Sequence, residues 1–581
     1  MGWSESPKQV LSDGHVVERC GVLDEFILIF ILCSIVNLCS IFAQHGPGKK
    51  NKQKPFYNLK KNMFILTVVF VTLRTLIHHA GASPTTVLLP DDAVEGTVIY
   101  ASASNGEPIR IQVPQGYYGT NGITSFKNRG LVIPAPTLQE QESLQVHLHH
   151  TAAPNSVALS WATPTHANCS PTVVLHGSSS NKVQQDGITR TYPSAILFTN
   201  KTAEFQHVVL SHLIEGFNYN YTVTCDGKEF SNVFIAPKSS IPVTAAPVPA
   251  DAYTFAIFGD MGVSNAAHDT IRSMQSSLPF IEAVFHIGDL SYARSKEDIW
   301  NQFFGMIEPI ASRVPWTVAP GNHDMRKGDS DGECGLPMLS RFETPRSRTA
   351  QPHLLTQNST LRCNDAYNNS IGNPFWYTVH MGHATIITYS SDSNLTRMSP
   401  QWNWLQSELE KANTKEAREE HPWLFLMGHK PMYTASTYSG CISTRDNIHS
   451  GEGTEGQLTN ELEDLFVKNQ VDVSFYGHIH SYNRMFPTKQ NGTYVENQNR
   501  KVYINPKAPV HMMVGMSGAG HLGAPYDTPS WSAYSEISYG WLRTTFANRS
   551  SLHLEFIANG DGLEGTYAPA VHDDVWIIKD F

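Results

Sequence analysis

The stretch Ala283-Val-Phe-His-Ile-Gly-Asp-Leu-Ser-Tyr292 decides how this chain is read. An apolar run of strand length stops at Gly288, and Asp289, a side chain able to ligate a metal, follows at once. The pattern recurs four times. Residues 253–258 (YTFAIF) run into Gly259-Asp260, and Trp316-Thr-Val-Ala-Pro into Gly321-Asn322-His323. Trp423-Leu-Phe-Leu-Met runs into Gly428-His429, and Val471-Asp-Val-Ser-Phe-Tyr into Gly477-His478. A glycine lets the chain turn sharply and brings backbone close to a bound group. Loops at the carboxyl ends of strands form the ligand crevice of α/β sheets. The five runs therefore predict strands of one sheet whose ends converge on a shared metal site.

The side chains these turns offer are Asp260, Asp289, Tyr292, Asn322, His323, His429, His478 and His480. They are too many for one ion and suit two. Carboxylates and a phenolate favour a hard trivalent ion, whereas imidazole and amide oxygen favour a divalent one such as zinc, manganese or ferrous iron. Paired metals roughly 3.5–4 Å apart clamp the attacking and leaving oxygens of phosphoryl transfer.

Gly259-Asp260-Met-Gly262, Gly288-Asp289-Leu-Ser-Tyr292, Gly321-Asn322-His323-Asp324, Gly428-His429 and Gly477-His478-Ile-His480 resemble, in order, the five motif blocks of the purple acid phosphatases. The resemblance covers about 140 to 581. It implies a metallophosphoesterase sandwich of mixed sheets flanked by helices, an α/β (α+β) fold. It assigns Asp260, Tyr292 and His480 to ferric iron and Asn322, His429 and His478 to a divalent metal (Zn, Mn or Fe), with Asp289 bridging both. It also implies that phosphate monoesters are hydrolysed by a metal-bound hydroxide, and that the Tyr292 phenolate gives the iron its colour. His323, which cannot easily ligate beside Asn322, becomes the candidate for binding phosphate or protonating the leaving group, next to Asp289 as catalytic residue. One block departs from the pattern. Where the family usually offers a further histidine nine or ten residues past the His429 position, this chain has Tyr438 and Ser439; His449 lies in the same loop. His521, in the glycine-rich turn after Gly515, reads as structural.

Upstream, alternating runs at Leu144–His149, Ser156–Trp161, Thr172–His176, Phe205–Leu210, Asn218–Thr224 and Val233–Ala236 predict a β-sandwich over 138–240 with Trp161 in its core. It resembles the fibronectin-III-like domain of the larger family members. The Pro/Ala-rich 241–250 reads as a linker, 251–581 as the catalytic domain, and 83–137 as an irregular lead-in. Helical spacing occurs at 268–277, 295–310, 399–412 and 457–469.

The first 62 residues form an extension whose uncharged 26–43 is a membrane-span candidate, and hence a candidate tether. Residues 63–82 carry the parts of a signal peptide, with cleavage expected after Ala82. Eight Asn-x-Ser/Thr sites follow, at Asn168, Asn200, Asn220, Asn358, Asn368, Asn394, Asn491 and Asn548, which fits a secreted glycoprotein or a lysosomal or vacuolar one. Cys169 with Cys225 and Cys334 with Cys363 are plausible disulfides, leaving Cys441 odd. A net charge of −10 without a basic block in the main body makes nucleic acid a poor partner. The expected substrate is a phosphorylated small molecule or phosphoprotein, and a homodimer is compatible with the sequence. Two other readings stand beside this one: a phosphodiesterase of the same class, and an extracellular binding protein with an inactive phosphatase domain.

Overall fold

The computed structural model describes 98–102, 108–112 and, with interruptions, 144–580; the longer interruptions are 165–172, 177–183, 191–202, 239–252, 346–373, 436–453, 521–528 and 561–566. The predicted membrane span, signal peptide and linker lie outside the described residues. So do Tyr438, Ser439, Cys441, His449 and His521. Among the described residues no helix is long and apolar enough to cross a membrane. Two units are distinguished, and 137–581 belongs wholly to the second. Within the lead-in read as irregular, Val98–Ser102 and Pro108–Gln112 form a two-stranded sheet.

The part from residue 253 onward is built on two seven-stranded mixed sheets. One runs in the order Trp316–Ala319, Ala283–Ile287, Tyr253–Phe258, Gly540–Asn548, Ser551–Ala558, Ala570–Ile578, Val502–Ile504. The other runs Tyr377–Met381, Ala384–Thr388, Trp423–Met427, Val473–Tyr476, Val510–Val514, Tyr482–Met485, Ser532–Glu536. The strands that end in the site run parallel to one another within each sheet: 253–258 beside 283–287, 283–287 beside 316–319, and 423–427 beside 473–476.

This corrects the expectation of a single sheet. Three glycine-ended strands lie in the first sheet and two in the second. The apolar runs conceal the division because every one of these strands is covered on both faces. Tyr253, Phe255 and Ile257 enter the core between the sheets, while Ala256 and Phe258 pack outward under the helices Asn265–Ser276 and Glu297–Ala311. In the second sheet Trp423, Phe425 and Met427 face the shared core. Leu424 and Leu426 face the helices Pro400–Ala412 and Thr454–Lys468. The result is a helix–sheet–sheet–helix sandwich. Its stability rests on side chains of this size, each worth roughly 1.5–3 kcal/mol when fully buried.

Upstream lie seven antiparallel strands in a four-stranded sheet (147–150, 157–164, 203–211, 184–190) and a three-stranded one (173–176, 218–225, 228–235). Trp161 is fully buried in their core, as expected. The strand Gln184–Arg190 was not foreseen, since QQDGITR offers no apolar alternation. His147–His150 departs from half-burial: all four residues are buried. Their second face meets the two-sheet part. His147 Nε2 donates to the Arg341 carbonyl at 2.8 Å, His149 Nδ1 lies 3.3 Å from the Trp316 carbonyl, and His150 Nδ1 lies 2.6 Å from Thr317 Oγ1. Tyr221 adds a 2.6 Å bond to the Ser312 carbonyl. The sandwich thus backs the edge strand Trp316–Ala319, whose far end carries Asn322.

Candidate metal centre

All five turns meet. Asp260, Asp289, Tyr292 and Asn322 arrive from the first sheet, and His429, His478 and His480 from the second; each is nearly or fully buried except His478. Asp260 (φ 61°), Asp289 (52°), Tyr292 (53°) and His478 (73°) sit in left-handed backbone. That conformation costs a non-glycine residue of order 1–3 kcal/mol and concentrates at functional sites. It aims side chains that a regular strand exit would send elsewhere. The glycines between them permit contact between turns. A Cβ on Gly288 would lie 2.5 Å from His429 Nδ1, and one on Gly477 2.5 Å from Asp260 Oδ2. Glycine is thus required where one ligand's turn presses on another ligand.

The side chains form two overlapping groups, Asp260–Asp289–His480 and Asp289–His429–His478, in each of which the candidate ligand atoms lie within 4.8 Å of one another. Tyr292 joins the first, its hydroxyl 3.1 Å from Asp260 Oδ1, 3.2 Å from Asp289 Oδ2 and 2.9 Å from His480 Nε2. Asn322 joins the second, its Oδ1 3.1 Å from His429 Nε2 and 2.9 Å from His478 Nδ1. Asp289 belongs to both. The predicted ligands and their division are all brought together.

The donor chemistry fits a cation. His429 Nδ1 donates to the Ile287 carbonyl at 2.9 Å and His480 Nδ1 to the Gly520 carbonyl at 2.5 Å, so in the neutral rings Nε2 carries the lone pair. His429 Nε2 then faces Asn322 Oδ1 and, at 3.2 Å, Asp289 Oδ2. Acceptors facing acceptors need a positive charge between them. Burial disfavours charge on His429, but Asp289 and Asp260 outweigh it and raise the imidazole to about 8. Burial likewise pushes the Asp289 carboxyl up, and the His429 and His323 rings together hold it well below the usual carboxylate range.

His323 lies beside the ligands rather than among them. Its backbone N–H donates to Asp289 Oδ1 at 2.8 Å, its ring packs 4.6 Å from that of Tyr292, and its Nδ1 donates to the Asp329 carbonyl at 3.1 Å.

Two supporting residues went unassigned in the sequence. Asp324 accepts from the backbone N–H groups of Asp289 (2.8 Å), Gly321 (2.9 Å) and Leu290 (3.1 Å), binding the Asp289 turn to the Asn322 turn. Burial, reinforced by Asp289, raises its carboxyl to about 7. Its place three residues after Gly321 is capping-box spacing, a signal that was available. Asp329, which accepts from Asn322 Nδ2 at 3.1 Å, carries no such signal.

Residues 253–482 match the calcineurin-like phosphoesterase family, and 508–565 match the family described as iron/zinc purple acid phosphatase-like protein C. The five glycine-ended turns all lie within the residues that match the calcineurin-like phosphoesterases. Within that class the chain is similar to the purple acid phosphatases. It is 27% identical to acid phosphatase type 7 of Danio rerio over 435 residues, covering 71% of this chain and 88% of that protein. It is 29% identical to probable inactive purple acid phosphatase 9 of Arabidopsis thaliana over 413 residues, covering 64% of this chain and 56% of that one. The solved purple acid phosphatase from yellow lupin seeds superposes with a TM-score of 0.61 at 24% identity, over 75% of this chain and 74% of that one, a likeness of fold.

Proposed function

We propose that this chain is an acid phosphatase that hydrolyses phosphate monoesters at an Fe(III)–M(II) pair, M being Zn, Mn or Fe. The observation that carries the reading is the pair of ligand groups sharing Asp289, with Tyr292 on one and Asn322 on the other. Asp260, Tyr292, His480 and Asp289 would hold the trivalent ion, and Asn322, His429, His478 and Asp289 the divalent one. When bound, the cations supply Lewis acidity towards the phosphoryl oxygens and the attacking water. The chain's own groups do the rest. Asp289 spans both halves, and its Oδ1 is steadied by the His323 N–H. His323, its Nδ1 proton committed to the Asp329 carbonyl, offers Nε2 to the substrate phosphate or the leaving oxygen.

A secreted or luminal glycoprotein is the matching setting. Cys225 and Cys334 are both disulfide-bonded, while their expected partners Cys169 and Cys363 lie outside the described residues. Asn220, Asn394, Asn491 and Asn548 are all exposed, as glycosylation requires. The four-plus-three antiparallel arrangement supports the fibronectin-III-like reading of the upstream sandwich.

Some relatives bear inactive names, which favours a binding role; the complete ligand set here weighs against it. The deciding experiment compares p-nitrophenyl phosphate with the bis ester on metal-loaded protein. Faster monoester turnover, lost in Asp289→Asn, is expected. Preference for the diester would favour a phosphodiesterase. Turnover absent from the wild type would leave the binding role.

A further inference from the structure

We propose that Asp329 is a positioning residue for the imidazole-rich half of the centre, fixing which atom of Asn322 faces the divalent cation. The inference rests on the reading of Asn322 as a ligand. A side-chain amide turned through 180° occupies nearly the same volume with oxygen and nitrogen exchanged, and only the oxygen can ligate a cation. An imidazole nitrogen can meet either end of the amide, according to its tautomer. Asp329 selects between them. Its Oδ2 accepts from Asn322 Nδ2 at 3.1 Å, so on that side a carboxylate oxygen meets the NH2 end of the amide. Oδ1 is therefore left facing His429 Nε2 and His478 Nδ1, at 3.1 and 2.9 Å.

Asp329 reaches the neighbouring residue as well. Its backbone carbonyl accepts from His323 Nδ1 at 3.1 Å, so a single residue orients both the amide ligand and the imidazole beside it. The segment is itself held. Ser330 N–H donates to the Arg326 carbonyl at 2.8 Å, Ser295 Oγ donates to the Asp331 carbonyl at 2.8 Å, and Glu333 Oε1 accepts from Ser295 N–H at 2.8 Å and Trp300 Nε1 at 3.0 Å. Disulfide-bonded Cys334 follows directly. The segment thus leans on the turn that carries Tyr292 while Asp329 reaches the turn that carries Asn322.

The test is Zn²⁺ titration of the metal-free full chain by competition with a chromophoric chelator, comparing wild type, Asp329→Ala, Asp329→Asn and Asn322→Ala. Loss of an outer hydrogen-bond partner of a ligand typically weakens metal affinity roughly 10–100-fold. Asp329→Ala is expected to show that loss at one of the two sites, with the other unchanged. Asp329→Asn, whose own amide can turn to meet either end of Asn322, loses the selection and should bind between wild type and Asp329→Ala. Wild-type binding by Asp329→Ala alongside weakened binding by Asn322→Ala would overturn the proposal, as would equal weakening of both sites. If Asn322→Ala itself binds normally, it is the ligand reading that falls. Should Asp329→Ala not fold, wild-type binding by Asp329→Asn would overturn the proposal on its own.

Discussion

Two groups of buried histidines in the same unit have opposite electrostatic settings. At the sheet ends His429 sits against Asp289 and Asp260, whose charges overcome its burial and raise it to about 8. At the junction with the upstream sandwich, His147 and His150 have carbonyls, a hydroxyl and aromatic rings for neighbours, and burial lowers them to about 4 and about 3. His149 is lowered further by the other imidazoles around it, after burial itself. The first group is arranged to meet positive charge and the second to stay neutral. Burial is common to both, so the carboxylates make the difference.

Breaking the carboxylate side should have the largest effect. Asp289→Asn removes the only group common to both ligand sets. Both cations should be lost in metal analysis, with turnover reduced by more than the roughly 100-fold that an outer partner can cost. Circular dichroism should remain that of the wild type.

Gly288→Ala tests the contact between turns instead. The new Cβ would meet His429 Nδ1 in a backbone of φ +77°, a strain of order 1–3 kcal/mol. His429 should be displaced, so divalent-metal affinity should fall while the Tyr292 side keeps its ion. Equal loss from both sides would mean that the halves are not separable.

Acid should instead find the junction. The folded values of His147 and His150 lie below the roughly 6.5 of an exposed imidazole, so the unfolded chain takes up protons first as pH drops. Their contribution is constant above about 6.5 and is lost progressively towards pH 4 and below, with an expected fall in Tm of roughly 5 °C or more across pH 6.5 to 4. His147→Gln, which can still donate to the Arg341 carbonyl but does not titrate, should flatten that fall, read by calorimetry at stepped pH. An unchanged slope would remove His147 from the account.

The smallest effect is expected from Tyr221→Phe. It deletes one junction hydrogen bond, to the Ser312 carbonyl, worth about 1 kcal/mol. A slightly lower Tm with unaltered turnover would show that the junction supports the fold without tuning the centre.

The centre was the more legible of the two regions. Its ligands follow strand-ending glycines directly, so residue type and position carry one message, and Asp324 could have been added from its capping spacing. Asp329 could not, because its link to Asn322 depends on how a glycine- and acid-rich turn folds back. The division of five strands between two sheets was hidden too, since double burial makes Tyr253–Phe258 and Trp423–Met427 look alike. At the junction, the alternation through His147 and His149 correctly gave a strand. It could not say that both faces are covered, because the covering residues, Arg341 and Trp316, lie more than 150 positions away.

The central claim is that two unlike cation sites share Asp289, the harder one carrying Tyr292. It is tested most directly by metal analysis and a visible absorption spectrum of the purified protein beside Tyr292→Phe. The account predicts two metal ions per chain, one of them iron, and a visible band that Tyr292→Phe abolishes while both ions remain bound. A colourless wild type without iron, or a band that survives Tyr292→Phe, would contradict it.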